Sequence, residues 1–166
     1  MGAFYELLKE TAARDGISIH NFNYYASLFE SGWYSGEKPN IRLYLAEHDG
    51  DLLAGIITLF RGREAVYLYG ASSDKKRNLM STYALQLNAM EDAKANGCLE
   101  YDLFGIPPSE DPSHPMAGLY RFKTGFGGKI IHRPGSWDYP SRPILYRLFR
   151  AAEALRQNLR KLRKKR

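Results

Sequence analysis

A chain of 166 residues, 44% hydrophobic and 25% charged, has the length and composition of one globular domain with a core of its own. No apolar run approaches the ~20 residues of a bilayer span, and the start Met1-Gly2-Ala3-Phe4-Tyr5-Glu6 lacks the basic-then-apolar pattern of a secretory signal. The net charge of +6 is uneven: residues 141–166 hold ten Lys or Arg and one acid, Glu153, which leaves 14 basic and 17 acidic residues, a net of −3, in 1–140. A basic body would argue for a broad nucleic-acid surface, whereas a basic tail argues for one localised contact. Cys98 is the single cysteine and has no His or Cys at ligand spacing. It reads as a buried core thiol in a cytoplasmic protein.

In chain order, Phe4 to Arg14 has helical spacing, with Phe4, Leu7, Leu8 and Ala12 on one face and Gly16 as a stop. Asn21 is placed to cap a second helix through Tyr24, Tyr25, Leu28 and Phe29. Residues 32–40, rich in Gly, Ser and Pro, read as loop. Three strands follow, Ile41–Ala46, Leu52–Phe60 and Ala65–Tyr69, joined by turns at Asp49-Gly50 and at Arg61–Glu64. The pattern predicts an antiparallel meander whose nearly all-apolar middle strand is buried on both faces. A polar loop, Gly70–Asn78, opens a long helix from about Leu79 to Asn96. Leu79, Ala84, Leu87, Met90 and Ala93 mark its apolar side and Gly97 its end.

Cys98–Phe104 is expected as a fourth strand and Gly105–Pro115, with four prolines, as loop. Ala117–Thr124 reads as a short helix, Lys129–His132 as a last strand, and the segment around Trp137 and Tyr139 as irregular. The tail is one helix in which Leu145, Leu148, Ala152, Leu155, Leu159 and Leu162 are spaced 3, 4, 3, 4, 3, an a/d seam. Such a seam suits packing along the domain, a coiled-coil partner, anionic lipid headgroups or RNA phosphate.

The stretch Tyr120-Arg121-Phe122-Lys123-Thr124-Gly125-Phe126-Gly127-Gly128 carries the chemistry most open to interpretation. Phe122 and Phe126 can be core residues four apart on a helix that Gly127 and Gly128 end, leaving Lys123 a solvated charge. Alternatively, the aromatics fix a lysine beside a cleft, where it meets negative charge that develops during a reaction.

Helices, a meander, a long helix, then strand, helix and strand make up the layout of the α/β N-acetyltransferase-like (GNAT) fold, a mostly antiparallel mixed sheet flanked by helices. Residues 1–140 are assigned to it and 141–166 to a basic amphipathic helix. Acetyl-CoA users in that fold place glycines ahead of the long helix, so that backbone amides reach the pyrophosphate. Here that site reads Lys76-Arg77-Asn78-Leu79-Met80-Ser81-Thr82, without glycine, which argues against pyrophosphate binding in the usual manner.

Five features, in this order and spacing, resemble the second acyltransferase-like domain of the Fem peptidyltransferases over roughly residues 4–150. They are Gly16-Ile17-Ser18-Ile19 ahead of Tyr24-Tyr25, Tyr67-Leu68-Tyr69-Gly70-Ala71-Ser72, the long helix, Glu100-Tyr101-Asp102-Leu103-Phe104-Gly105-Ile106 and Leu119–Gly128. The resemblance implies transfer of an amino acid from aminoacyl-tRNA to an amine on the stem peptide of a UDP-linked or lipid-linked muramyl pentapeptide. Aminoacyl-tRNA is then a co-substrate and no cofactor is expected. It also implies that Lys123 matches the family's functional lysine, with Phe122 beside it. The family's precursor-binding arginine and tyrosine fall at His20 and Tyr24, and His for Arg is a departure that weakens a phosphate clamp. A third family tyrosine falls at Tyr67 or Tyr69, which strand alternation sends to one face. Asp102 is a candidate for orienting the amine, with an ordinary strand-end aspartate as the plainer alternative.

Family members carry two such domains. The expectation is therefore a carboxy-terminal portion of a longer protein, inactive without an upstream domain, whose basic helix meets tRNA or the inner face of the membrane. Two other readings remain in play: an acetyl-CoA-dependent N-acetyltransferase acting on a small amine, and a non-enzymatic domain that docks RNA, lipid or a helical partner.

Overall fold

The structure, a computed structural model, describes residues 1–30 and 40–164, with side chains through Arg156. The loop expected at 32–40 lies outside the described residues except for Asn40, which opens a strand. The chain divides into two units, Met1–Gly128 and Lys129–Arg166.

The first unit holds α1 (Gly2–Asp15), α2 (Phe22–Glu30), β1 (Asn40–His48), β2 (Asp51–Arg61), β3 (Glu64–Ser72), a 3-10 turn (Arg77–Leu79), α3 (Ser81–Ala95), β4 (Glu100–Asp102) and α4 (Ala117–Thr124). Each early boundary has a local cause. Gly16 takes the left-handed conformation that ends α1, at φ 64°. Asn21 caps α2, its Oδ1 accepting the Tyr24 N–H at 3.0 Å. Asp49 and Gly50 both have positive φ, the pair a tight hairpin needs between β1 and β2.

The described strands form one sheet in the order β1-β2-β3-β4, antiparallel except that β4 runs parallel to β3. This is the mixed, mostly antiparallel N-acetyltransferase-like layout expected from the order of elements. β2 is buried on both faces, as its apolar run required. On one face Ile57 and Ala71 pack against Phe4, Leu7 and Leu8 of α1 and Tyr25 of α2. On the other, Ala54 and Ile56 meet Leu85 and Ala89 of α3, and Phe60 and Ala65 meet Ala93 and Cys98. Cys98 is the buried core thiol expected of it.

Hydrogen bonds from α1 hold the far end of β3. Thr11 Oγ1 donates to the Ser72 carbonyl at 3.1 Å and accepts the Ser72 N–H at 3.0 Å, and Glu10 accepts from Ser73 Oγ and the Asp74 N–H, each at 2.8 Å.

Three expectations are corrected. The buried side of α3 is Leu85, Gln86, Ala89 and Ala93, not the stripe led by Leu79 and Leu87, both of which are exposed. Small alanines let the helix sit close to the sheet, and a polar Gln86 inside the stripe hides it from a hydrophobicity count. The fourth strand is only Glu100–Asp102. Asp102 Oδ1 accepts the Phe104 N–H at 2.7 Å and Phe104 turns left-handed at φ 65°, so the extended backbone stops there. The strand expected at Lys129–His132 does not form. Ile130 and Ile131 both stay exposed, so the segment has no buried face of the kind that holds β2 in the sheet.

The second unit is irregular up to α5 (Pro143–Lys164). Tyr146 of α5 donates from its hydroxyl to the Asp138 carboxylate, tying the preceding segment to the helix. Among the described residues no helix is long and apolar enough to cross a membrane.

Candidate active site

The parallel pairing of β3 with β4 lasts three residues, ending at Val66 opposite Asp102. β4 ends at that pair, and the groups gathered at its end come from three places.

α4 supplies Lys123. Its helix is docked through aromatics: Phe122 and Phe126 pack edge-to-face with centroids 5.4 Å apart, and Tyr83 in the first turn of α3 meets them at 4.8 and 5.4 Å. Both phenylalanines therefore serve attachment, and the next residue round the helix, Lys123, is turned inward and only 7% exposed. Its ammonium donates to the Gly105 carbonyl at 2.9 Å and stands 5.2 Å from the centroid of the Tyr67 ring. Tyr67 is the first residue of β3 past the paired segment, and Gly105 follows the turn that ends β4. Lys123 thus links β3 to the segment that follows β4.

Burial drives the Lys123 ammonium down from its ordinary 10.5 to about 8, and nearby Asp102 partly restores it. Asp102 has a second task, because the turn it makes with the Phe104 N–H sets the path of the chain into Gly105. Tyr67 is half-buried, and desolvation raises the pKa of its phenol. Gly70 lies under its hydroxyl, where an added Cβ would come within 1.8 Å of the Tyr67 oxygen. These four positions, Tyr67, Asp102, Gly105 and Lys123, are brought together. The carbonyl of Gly105 and the bare backbone of Gly70 escaped sequence reasoning as parts of the arrangement, because neither contributes a side chain.

The remaining candidates lie elsewhere. Tyr69 hydrogen-bonds Tyr24 through their hydroxyls at 2.9 Å and packs on Tyr25 at 5.1 Å, and His20 stacks on Tyr24 at 3.9 Å. This cluster sits on the α1/α2 face. Alternation placed Tyr67 and Tyr69 together, and the structure separates them. Thr58 pairs with Tyr67 and the adjacent Ile57 with Tyr69, so Leu68 is an extra, bulged residue. Ile57 and Thr58 face opposite ways, and so do their partners. Tyr67 joins the α3 side with Ile56 and Leu85, and Tyr69 the α1 side with Phe4 and Ile57.

The loop ahead of α3 is held by ion pairs. Lys75 meets Asp51 at 2.6 Å, Lys76 meets Asp51 at 3.2 Å and the His48 carbonyl at 3.0 Å, and Arg77 meets Asp74 at 3.3 Å. Lys76 and Met80 adopt positive φ without being glycine.

The order and pairing of the elements give this domain an N-acetyltransferase-like fold, with a buried lysine where β4 ends. The FemAB family model matches residues 37–154, and the chain belongs to that family. Its relatives include lipid II:glycine glycyltransferases from Staphylococcus saprophyticus, 32% identical over 100 residues (60% of this chain, 24% of that protein), and from Staphylococcus aureus strain USA300, 32% identical over 112 residues (67% and 27%). The chain spans about a quarter of the length of these curated relatives. Among solved structures, FemX is 33% identical with a TM-score of 0.44, covering 47% of this chain and 19% of that one. An aminoglycoside acetyltransferase from an uncultured soil sample is 18% identical with a TM-score of 0.47, covering 82% and 87%.

Proposed function

We propose that this chain is an acyl-transfer domain that moves an amino acid from aminoacyl-tRNA to an amine on the stem peptide of a lipid-linked muramyl precursor, at the inner face of the membrane. The observation that carries this reading is the setting of Lys123. An ammonium has three N–H donors. Gly105 takes one and the Tyr67 ring face engages the cation, which leaves donor capacity for a substrate oxygen.

In the reaction, the acceptor amine attacks the ester carbonyl of the aminoacyl group. A C–N bond forms, negative charge gathers on the carbonyl oxygen, and the ester C–O bond then breaks, with the ribose oxygen leaving and taking up the proton that the attacking nitrogen releases. A fixed cation beside that oxygen favours the transition state over the ester. Partial desolvation strengthens the effect, because the charge is not screened by bulk water. The names of the relatives, glycyltransferases acting on lipid II, support the lipid-linked form of the acceptor. His20, Tyr24 and Tyr69 lie across the sheet from Lys123 and are proposed to contact the non-reacting part of the precursor. Tyr67 and Asp102 are proposed to position the lysine.

Acetyl-CoA is a weaker fit. Lys75, Lys76 and Arg77 are each engaged with an acid of the same unit, and bulky Leu79 and Met80 occupy the approach to α3.

The test is transfer of labelled amino acid from charged tRNA in the longest natural protein containing this chain, with Lys123→Met and Lys123→Arg. A loss of 100-fold or more for Met, with partial recovery for Arg, is expected. Unchanged transfer with Lys123→Met removes the lysine from the mechanism.

A further inference from the structure

α5 carries an apolar face whose large side chains are exposed. At about 100° per residue, Ile144, Leu155, Leu148, Ala152, Leu145 and Phe149 fall within an arc of roughly 140°. Leu148, Phe149 and Leu155 are 63%, 62% and 63% exposed. Arg156 falls at the Phe149 edge of that arc, Arg147 and Arg150 lie on the opposite side, and Glu153 is the one acid in the helix. Six of the last seven residues of the chain, 160–166, are Lys or Arg. Just ahead of the helix Trp137 and Tyr139 are 86% and 94% exposed, and the hydrogen bond from Tyr146 to Asp138, the residue between them, fixes that segment to the first turn of α5.

We propose that α5 lies flat on an anionic lipid surface. Its Ile144–Leu155 face enters the boundary between headgroups and acyl chains, its arginines meet the phosphates, and Trp137 and Tyr139 sit at headgroup level. Charge selects this occupant. A second copy of α5 brings the same cations and the same lone acid, so two such helices repel. RNA phosphate satisfies the arginines but leaves three large apolar side chains in water. A surface both anionic and apolar satisfies both faces at once. The inference is independent of the transferase reading, since the probe is a vesicle that contains no precursor.

The experiment is flotation of the whole chain with vesicles of phosphatidylglycerol and phosphatidylcholine, against phosphatidylcholine alone. In a Trp33→Phe background Trp137 is the sole tryptophan, and its emission reports entry into the interface. The expected result is binding to the anionic vesicles with a blue shift of Trp137. Partitioning should fall tenfold or more with Leu148→Glu/Phe149→Glu, and by a similar factor with Arg147→Glu/Arg150→Glu or in 0.5 M salt. Circular dichroism on the same samples checks that α5 persists in both variants.

Absence of binding to anionic vesicles overturns the proposal. So does binding that Leu148→Glu/Phe149→Glu leaves unchanged, which marks a purely electrostatic surface of the kind RNA would use. A concentration-dependent dimer dissolved by that same variant, without vesicle binding, assigns the face to a second copy and also overturns it.

Discussion

Replacing Lys123 by Met tests the buried ammonium without any assay of transfer. Folding carries this group from an ordinary pKa of 10.5 to about 8. At about 1.4 kcal/mol per pH unit, the folded protein bears a penalty of about 3 kcal/mol for holding the charge. The side chain is 7% exposed by area but its ammonium is only partly desolvated, so this figure is an upper bound.

The sign follows from which state holds the proton. Below about pH 8 both states are protonated and the penalty is present in full. Between about 8 and 10.5 the unfolded chain keeps a proton that the folded chain has released, so the folded state gains stability as pH rises. Above 10.5 both are neutral and the penalty is gone. Met removes the titration while keeping much of the volume, and the Gly105 carbonyl it leaves without its lysine donor adds an offset that does not vary with pH. Urea unfolding of parent and variant from pH 7 to pH 11 should therefore show the parent gaining up to about 3 kcal/mol on the variant, with the rise between pH 8 and 10.5. All other titrations are common to both proteins and cancel. A difference that stays flat across that range refutes the buried, desolvated lysine, and with it the electrostatic basis of the proposed function. The same titration predicts that transfer declines with an apparent pKa near 8, since the neutral amine cannot offset an oxyanion.

Gly70→Ala places a Cβ 1.8 Å from the Tyr67 hydroxyl, so the ring must leave its seat beneath Lys123. A loss of about 1–3 kcal/mol is expected by thermal melting, with Tyr67→Phe in the same chain recovering part of it. Asp102→Asn keeps an acceptor for the Phe104 N–H but removes the charge that raises the Lys123 pKa, so the transfer–pH profile should move to lower pH with little change in melting temperature. Asp102→Ala should lower the melting temperature as well. Gly55→Ala puts a Cβ 2.6 Å from Phe4 and 2.9 Å from Leu45, both side chains in contact with the sheet. It should cost about 1–3 kcal/mol in urea unfolding while leaving the pH profile of transfer unchanged.

Elements whose signals are local were legible in the sequence. Asn21, Gly16 and the Asp49-Gly50 turn specify their own backbone, and α4 was read to the residue as Ala117–Thr124 because prolines and glycines bound it. Elements that depend on what lies opposite were not. The inward side of α3 is decided by the sheet it covers, which accepts Ala89, Ala93 and a buried Gln86 and leaves Leu87 in solvent. The end of β4 is decided by one side-chain hydrogen bond from Asp102, a contact that a run of apolar and acidic letters does not announce. Lys123 stood out in the sequence for its aromatic neighbours. Those neighbours hold α4 to Tyr83, and the ring that meets the ammonium comes from β3, 56 positions earlier in the chain.

The separation of Tyr67 from Tyr69 shows why spacing alone could not choose between them. Two residues apart on a regular strand means one face, and every alternation argument inherits that premise. Here β3 must leave β4 after Val66 while staying paired with β2 on its other edge, and the extra residue Leu68 falls just past that point. A bulge raises the local twist and turns the following side chain over. The bulge just past the end of the β3–β4 pairing therefore delivers one tyrosine to Lys123 and the other to Tyr24. A regular β3 would send both to the same side and leave one of these two partners unmet.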